Sequence, residues 1–248
     1  MKTIVSIMAS ASALLMLAGC VAKSNDGEKA RADYAASLSD SIAAVQSEID
    51  SCDSRISVLR DDVADRMADF TTVSNPREAG SYTILTSYKD KYPLRSTGLV
   101  ARINDNGQFE LIAALAGQPF DCIEVQAPEV TVSSATVPND QALNYRTAAL
   151  TTVLFTGPEA DSIGEMISEN ELNPLTVVYM QGRPVKSVKL SDGEAKMISY
   201  TYMLYKTRQD LAHLERKVPM LHEKINLLRL HRDKDNMQND SAGIAAGE

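Results

Sequence analysis

Histidine is the side chain that most often performs acid–base chemistry or binds zinc. The sequence has three, His213, His222 and His231, spaced nine residues apart. Because a helix has about 3.6 residues per turn, this spacing places successive histidines on opposite faces. They cannot converge on one metal ion, and residues 73–190 hold no histidine to activate a serine or cysteine nucleophile. The sequence therefore predicts no metal site and no catalytic histidine.

Paired carboxylates are the remaining route to catalysis, because one can act as general acid and the other as general base. An acidic surface also brings carboxylates together without any catalytic role. We therefore predict no catalytic residue and no cofactor, and keep a carboxylate-based hydrolase as an alternative. The carboxylates in question are Glu110, Asp121, Glu124, Glu129, Asp140, Glu159, Asp161 and Glu165.

Composition narrows the class of protein. The chain has 248 residues, of which 44% are hydrophobic and 23% charged, values typical of a globular protein. The formal net charge is −8. Nucleic-acid binding needs a basic face toward the phosphates, so this balance disfavours a nucleic-acid partner.

The first twenty residues have the pattern of a secretory signal. A positive start at Lys2 precedes an apolar run over residues 4–17, which is shorter than the ~20 residues that span a bilayer. The run ends in Leu17-Ala18-Gly19-Cys20. This ending resembles the lipobox of bacterial lipoproteins, in which an aliphatic residue and two small residues precede the acylated cysteine.

The resemblance implies cleavage of residues 1–19 as a signal peptide and attachment of palmitate-type acyl chains to Cys20. Several acyl chains anchor a protein stably, since each buried CH₂ contributes about 0.8 kcal/mol. We therefore expect a cell-envelope protein held to the membrane by its lipid. Val21 stands where enteric lipoproteins retained in the inner membrane carry aspartate, which favours the outer membrane, with the periplasmic or outer face left open. Residues 20–33 are polar and predict a tether.

A heptad pattern follows over residues 34–72. Apolar side chains recur every seven residues and predict the first helix of a coiled coil. The predicted seam includes Ile42, Ile49, Cys52, Ile56 and Leu59.

A second heptad pattern covers residues 191–232, where Ser191 and Glu194 form a capping-box start. Pro219 lies within this pattern and is expected to kink the helix. Residues 233–248 are polar and predict a disordered tail. The predicted seam includes Leu211, Leu214, Val218, Leu221 and Ile225.

Helices of matching length at both ends of the chain favour an intrachain antiparallel hairpin. A rival arrangement pairs the first helices of two chains in parallel, because isoleucine and leucine alternate along its seam. The rival makes a homo-oligomer in which Cys52 faces Cys52 and could form a disulfide. In the hairpin, Cys52 lies too far from Cys122 for a bridge, and each is expected to be a small buried residue.

Residues 73–190 lose the heptad period and predict a mostly antiparallel, β-rich head. Asn104-Asp105-Asn106-Gly107 separates two strand-like runs, which is a strong hairpin signal. Further strand pairs are expected at residues 120–136 and 175–190, with a strand at 148–155. A short helix follows, with Thr156 as its cap and Pro158 in its first turn. The predicted fold class is α+β, with a coiled-coil stalk of the two terminal helices around this head.

Tyr202 and Tyr205 lie where the second long helix leaves the head, three residues apart and hence on one face. They are candidates for a partner-binding surface, because tyrosine is enriched in interfaces. The alternative is that they pack the head onto the stalk.

These features favour a non-catalytic, lipid-anchored envelope protein whose β-rich head binds an unidentified protein partner or the envelope itself. A chaperone-like assembly factor is an alternative, since the helix–sheet–helix order is similar to that of prefoldin subunits, whose coiled coils hold unfolded chains. The hydrolase described above is the third possibility.

Overall fold

The computed structural model describes residues 25–75, 78, 80–140 and 142–244. It has an α+β fold with a long helix at each end and two antiparallel sheets, which confirms the predicted fold class at that level. The elements in chain order are α1 Asn25–Met67, β1 Phe70–Val73, β2 Tyr82–Leu85, a 3₁₀ helix Thr86–Lys91, β3 Gly98–Asn104, β4 Phe109–Ala116, β5 Cys122–Gln126, β6 Thr131–Ser133, β7 Asn144–Arg146, β8 Leu150–Thr156, α2 Pro158–Glu169, β9 Thr176–Met180, β10 Pro184–Lys189 and α3 Asp192–Ile244.

The long helices differ from the predicted ranges at their ends. α1 begins at Asn25, within the expected tether, because the segment that follows is rich in alanine, lysine and glutamate, which favour helix. It ends at Met67 rather than at residue 72, because Phe70-Thr71-Thr72-Val73 is rich in β-branched residues and pairs as a strand. α3 continues to Ile244 through the expected disordered tail.

The start of α3 follows its prediction. The Ser191 hydroxyl lies 2.6 Å from Glu194 Oε2 and accepts a hydrogen bond from the Glu194 backbone N–H at 3.3 Å. The Ser191 backbone N–H donates to the same carboxylate at 3.1 Å. This reciprocal pair is the predicted capping box and satisfies donors that the first helical turn leaves free.

The larger sheet has six strands in the order β1-β2-β3-β4-β8-β7. β3 and β4 form the predicted hairpin, in which the Gly107 N–H donates to the Asn104 carbonyl at 2.9 Å. Gly107 has φ +75°, a conformation that glycine adopts without the strain of a side chain. Seven of the eight residues of β4 are buried, so both faces of this strand are covered.

The smaller sheet has four strands in the order β10-β9-β5-β6, which confirms the strand pairs expected at residues 120–136 and 175–190. α2 contacts β4 and β8 of the larger sheet and β6 of the smaller one. Its N-cap is Gly157, without a side-chain hydrogen bond, so the expected cap by Thr156 was wrong. Pro158 occupies the first turn as expected, where its missing N–H costs nothing.

Tyr179 connects the two sheets, which share one hydrophobic core. Tyr179 of β9 meets Phe120 edge-to-face, with ring centroids 5.0 Å apart. The Tyr179 hydroxyl donates to the Gly98 carbonyl of β3 at 3.2 Å. A buried amide supports the same region, because Asn144 Nδ2 donates to the carbonyl of Val137 at 2.8 Å.

The chain divides into two compact units. One is Glu48–His222, which contains both sheets and α2. The other holds the described residues up to Ser47 together with those from Glu223. Within that second unit Leu38, Val45 and Ile225 are buried. Over the described residues, every helix is too short or too polar to span a lipid bilayer.

Candidate functional site

A group of buried, paired charges centres on Arg102, in the middle of β3. Arg102 is only 1% exposed. It lies opposite Glu110 in the β3–β4 register, and its Nε donates to Glu110 Oε2 at 2.5 Å. Asn104 Nδ2 donates to the other carboxylate oxygen of Glu110 at 2.8 Å. Both oxygens of this buried carboxylate therefore have partners, as burial requires.

The rest of the Arg102 guanidinium is also occupied. One terminal nitrogen lies 2.6 Å from Glu78 Oε2 and donates to the Tyr92 hydroxyl. The guanidinium carbon lies 3.5 Å from the centroid of the Tyr82 ring, a cation–π arrangement. The Arg102 cluster, defined as Arg102 with Glu78, Tyr82, Tyr92 and Glu110, thus joins β2, β3 and β4 to Glu78 and Tyr92.

The electrostatics of the cluster favour its charged form. Burial by itself lowers the pKa of Arg102, but the negative charges of Glu110 and Glu78 and the neighbouring Tyr92 outweigh it, so this pKa is raised. Burial raises the pKa of Tyr82 to about 12, against the opposing effect of the Arg102 charge. Burial likewise raises the pKa of Tyr92. Both tyrosines therefore stay protonated at neutral pH and serve as neutral partners of the cation.

These groups are suited to holding structure rather than to acid–base chemistry. An arginine is always protonated, and here both carboxylates that face it are paired. Sequence reasoning missed Arg102, although a signal was present. The turn at 104–107 fixes a register that sets Arg102 directly opposite Glu110, and opposite charges at such positions form cross-strand pairs.

Other carboxylates considered from the sequence are dispersed among separate partners. Glu124 accepts a hydrogen bond from Gln126 Nε2 at 2.6 Å. Asp140 accepts the backbone N–H of Leu143 at 2.7 Å and that of Ala142 at 2.6 Å, and these bonds lower its pKa. Glu129, Glu159 and Glu165 are exposed. Within the described part of the chain, histidine, cysteine, aspartate and glutamate form no group of three that could hold a metal ion.

The two candidate partner-binding tyrosines pack inside the Glu48–His222 unit. Tyr202 is 6% exposed and meets Phe109 edge-to-face, with ring centroids 5.4 Å apart. The Tyr205 hydroxyl donates to Asp161 Oδ2 at 2.9 Å, joining α3 to α2. Burial raises the pKa of Asp161, and burial with the Asp161 carboxylate raises the pKa of Tyr205 to about 12. These contacts favour the packing interpretation and leave little of Tyr202 for a partner.

The seam residues divide between the two units. In the Glu48–His222 unit five are buried and three are half-buried. In the other unit Ile225 is buried and Ile42 half-buried. The buried five are Ile49, Cys52, Ile56, Leu59 and Leu221, and the half-buried three are Leu211, Leu214 and Val218.

Polar contacts join α1 and α3 within the Glu48–His222 unit. Lys217 Nζ lies 2.6 Å from Glu48 Oε1, and an Arg60 nitrogen lies 2.7 Å from Glu215 Oε1. Closer to the sheets, the Thr207 hydroxyl donates to Asp62 Oδ2 at 3.2 Å.

A groove of about 540 Å³ lies beside the Arg60–Glu215 pair. Its lining combines apolar side chains with carboxylates. Pro219 also lines it and has no N–H to donate to the carbonyl four residues earlier in the helix. The other lining residues include Ile56, Val218, Asp53 and Asp61.

The remaining sequence candidates occupy separate places. Cys20, with the whole lipobox, lies outside the described residues. Cys52 and Cys122 are free thiols; Cys52 is buried as expected, whereas Cys122 is only half-buried. Burial raises the pKa of the Cys122 thiol. The three histidines are exposed on α3.

Comparison with known protein families, with curated proteins and with solved structures found no match.

Replacing Arg102 tests whether the buried cluster stabilises the fold. We expect Arg102→Leu to lower the free energy of unfolding by about 3–5 kcal/mol, because Glu110 then remains buried without its cation. Urea denaturation measures the change. The double variant Arg102→Leu/Glu110→Leu should recover much of the loss, since an apolar pair needs no charge partner.

Arg60→Leu is the matched control. It breaks the solvent-exposed Arg60–Glu215 pair, and such pairs contribute about 1 kcal/mol or less. A loss for Arg102→Leu no larger than that for Arg60→Leu would contradict a structural role for the cluster.

The raised tyrosine pKa values predict a loss of stability at alkaline pH. Unfolded tyrosine ionises near pH 10, whereas Tyr82 and Tyr205 in the folded chain ionise near pH 12. The folded state therefore retains these protons, and the free energy of unfolding should fall as the pH rises from 10 to 12. Denaturant unfolding across that range should show a shallower fall in the variant Tyr82→Phe/Tyr205→Phe. Equal slopes for the variant and the natural chain would refute these assignments.

Proposed function

We propose that the protein is a lipid-anchored bacterial envelope protein of non-catalytic type. It presents its β-rich domain on a stalk of two long helices for binding to a protein partner or to the envelope. The observation that carries the proposal is the lipobox Leu17-Ala18-Gly19-Cys20 behind an apolar signal segment. The anchor is the acylated Cys20, and the side chain of Val21 favours the outer membrane.

Contacts between α1 and α3 support the antiparallel stalk. Glu48, Arg60 and Asp62 rise in number along α1, while their partners Lys217, Glu215 and Thr207 fall along α3. This order is the one expected of antiparallel neighbours within one chain. Buried seam residues on both helices, such as Ile49 and Leu221, supply the apolar contact that a coiled coil needs.

The Arg102 cluster has a structural role in the β-rich domain. Its charges are paired with one another inside the sheet, where they hold strands together. The ring contact of Tyr202 with Phe109 and the hydrogen bond of Tyr205 to Asp161 secure α3 to the same domain.

The anchor can be tested directly by replacing the acylated cysteine. We expect Cys20→Ser to abolish incorporation of labelled palmitate in a bacterial host and to release the protein from the membrane fraction, because the acyl chains provide the attachment. Membrane flotation and mass spectrometry of the N-terminal peptide measure the two effects.

Cys52→Ser and Cys122→Ser are the matched controls and should keep both the label and the membrane association. Palmitate incorporation that persists in Cys20→Ser would rule out the lipid anchor.

A further inference from the structure

The end of the smaller sheet at β10 carries an unusual concentration of positive charge for this acidic chain. Arg183, Lys186 and Lys189 lie in or next to β10 and are exposed. The chain as a whole has a net charge of −8. Over the described residues, none of the three forms an ion pair with a carboxylate. The basic edge, defined as Arg183–Lys189, therefore presents uncompensated cations to solvent.

The backbone of the basic edge is also available. Within the described chain, β9 is the strand that pairs with β10, which forms one end of the sheet. The Leu190 N–H donates to the Leu175 carbonyl at 2.9 Å. Leu190 and Leu175 are therefore a hydrogen-bonded pair of the antiparallel ladder between β10 and β9. Such pairs alternate along the ladder, so Ser187 and Lys189 direct their N–H and C=O groups away from β9. An added strand would find its hydrogen-bonding groups at these two residues.

Charge decides which strand can be added. Two copies of the basic edge would bring lysines against lysines, so pairing with a second copy of this chain is opposed. Lys186 lies opposite Tyr179 and Lys189 opposite Thr176, so the two lysines project from opposite faces of the sheet. A strand bearing aspartate or glutamate on both of its faces would place opposite charges beside both lysines. Val185 and Val188 are half-buried beside the cations and offer a small apolar contact to alternate side chains of such a strand.

We infer that the basic edge binds an extended acidic segment of a protein partner by adding it to the sheet next to β10. Main-chain hydrogen bonds to Ser187 and Lys189 would supply affinity, and the cations would select acidic sequences. The inference rests on the proposed partner-binding function, because it names the chemistry of the partner. An anionic lipid surface would need the cations alone and makes no use of the outward N–H groups, so the strand accounts for more of the structure.

Binding can be tested with a defined peptide probe and the full chain carrying Cys20→Ser, so that the outcome does not depend on acylation. The probe is a blocked peptide that repeats Glu-Glu-Val, which places carboxylates on both faces of an added strand, compared with a peptide that repeats Lys-Lys-Val. We expect the acidic peptide to bind with an affinity that falls as salt rises. Binding should slow amide hydrogen exchange at Ser187 and Lys189, since these N–H groups become bonded.

Reversing the charge of two lysines tests whether binding depends on these cations rather than on the rest of the surface. Lys186→Glu/Lys189→Glu should weaken binding of the acidic peptide by at least about tenfold and allow the basic peptide to bind. Lys89→Glu/Lys224→Glu changes the net charge equally at exposed positions elsewhere and should leave binding unchanged.

Ser187→Pro tests the backbone separately. Proline is tolerated on an edge strand where the N–H faces solvent, and here it removes an outward donor without breaking the ladder to β9. We expect an unchanged melting temperature and binding of the acidic peptide weakened by at least about tenfold.

Three results would overturn the inference. The first is binding of the acidic peptide without slower exchange at Ser187 and Lys189. The second is equal binding by the charge-reversed protein and the control. The third is failure of the acidic peptide to bind; binding of phosphatidylglycerol vesicles, lost on charge reversal, would then assign the edge to a membrane surface. None of these results bears on the lipid anchor, which has its own test at Cys20.

Discussion

The structure depends on one close approach, at Gly164 in the middle of α2. A Cβ atom placed there would lie 2.6 Å from a ring carbon of Tyr202 and 2.9 Å from one of Phe109. α2, β4 and α3 therefore meet at a distance that only glycine permits. Glycine inside a helix costs about 1 kcal/mol relative to alanine, which the burial of two aromatic rings offsets. Because Tyr202 lies near the start of α3, this contact fixes where the long helix leaves the β-rich domain.

Local signals predicted much of the fold. The Asn-Gly turn gave the β3–β4 hairpin, and the capping box gave the start of α3, because each acts through neighbouring residues. β1, β2 and β7 were missed. They are only three or four residues long, so the alternating pattern that identifies a strand is too short to recognise, even though β1 pairs with β2 and β7 with β8, their neighbours in the chain. The first helix was predicted to extend past Met67 because Phe70 continues the heptad pattern, although in the structure it begins a strand.

The Arg102 cluster shows how far site prediction from sequence can reach. The pair Arg102–Glu110 follows from the hairpin register and was accessible to reasoning from the turn alone. Glu78 and Tyr92 were not accessible, because they lie outside the β3–β4 hairpin and only the folded chain brings them to Arg102. For Tyr202 and Tyr205, the sequence correctly predicted a shared helical face. It could not show that Phe109 and Asp161 pack against that face.

The central claim is that α1 and α3 of a single chain pair with each other and carry the β-rich domain. The most direct test uses Asp62→Cys/Thr207→Cys, at side chains that lie 3.2 Å apart, with Cys20→Ser/Cys52→Ala/Cys122→Ala removing the three natural thiols. A short bifunctional maleimide should then link the two positions within one chain. The product should remain a monomer at every protein concentration, with its two helices still joined after proteolysis between them. Cross-linked dimers whose yield falls when the protein is diluted before cross-linking would contradict the claim and establish pairing between chains.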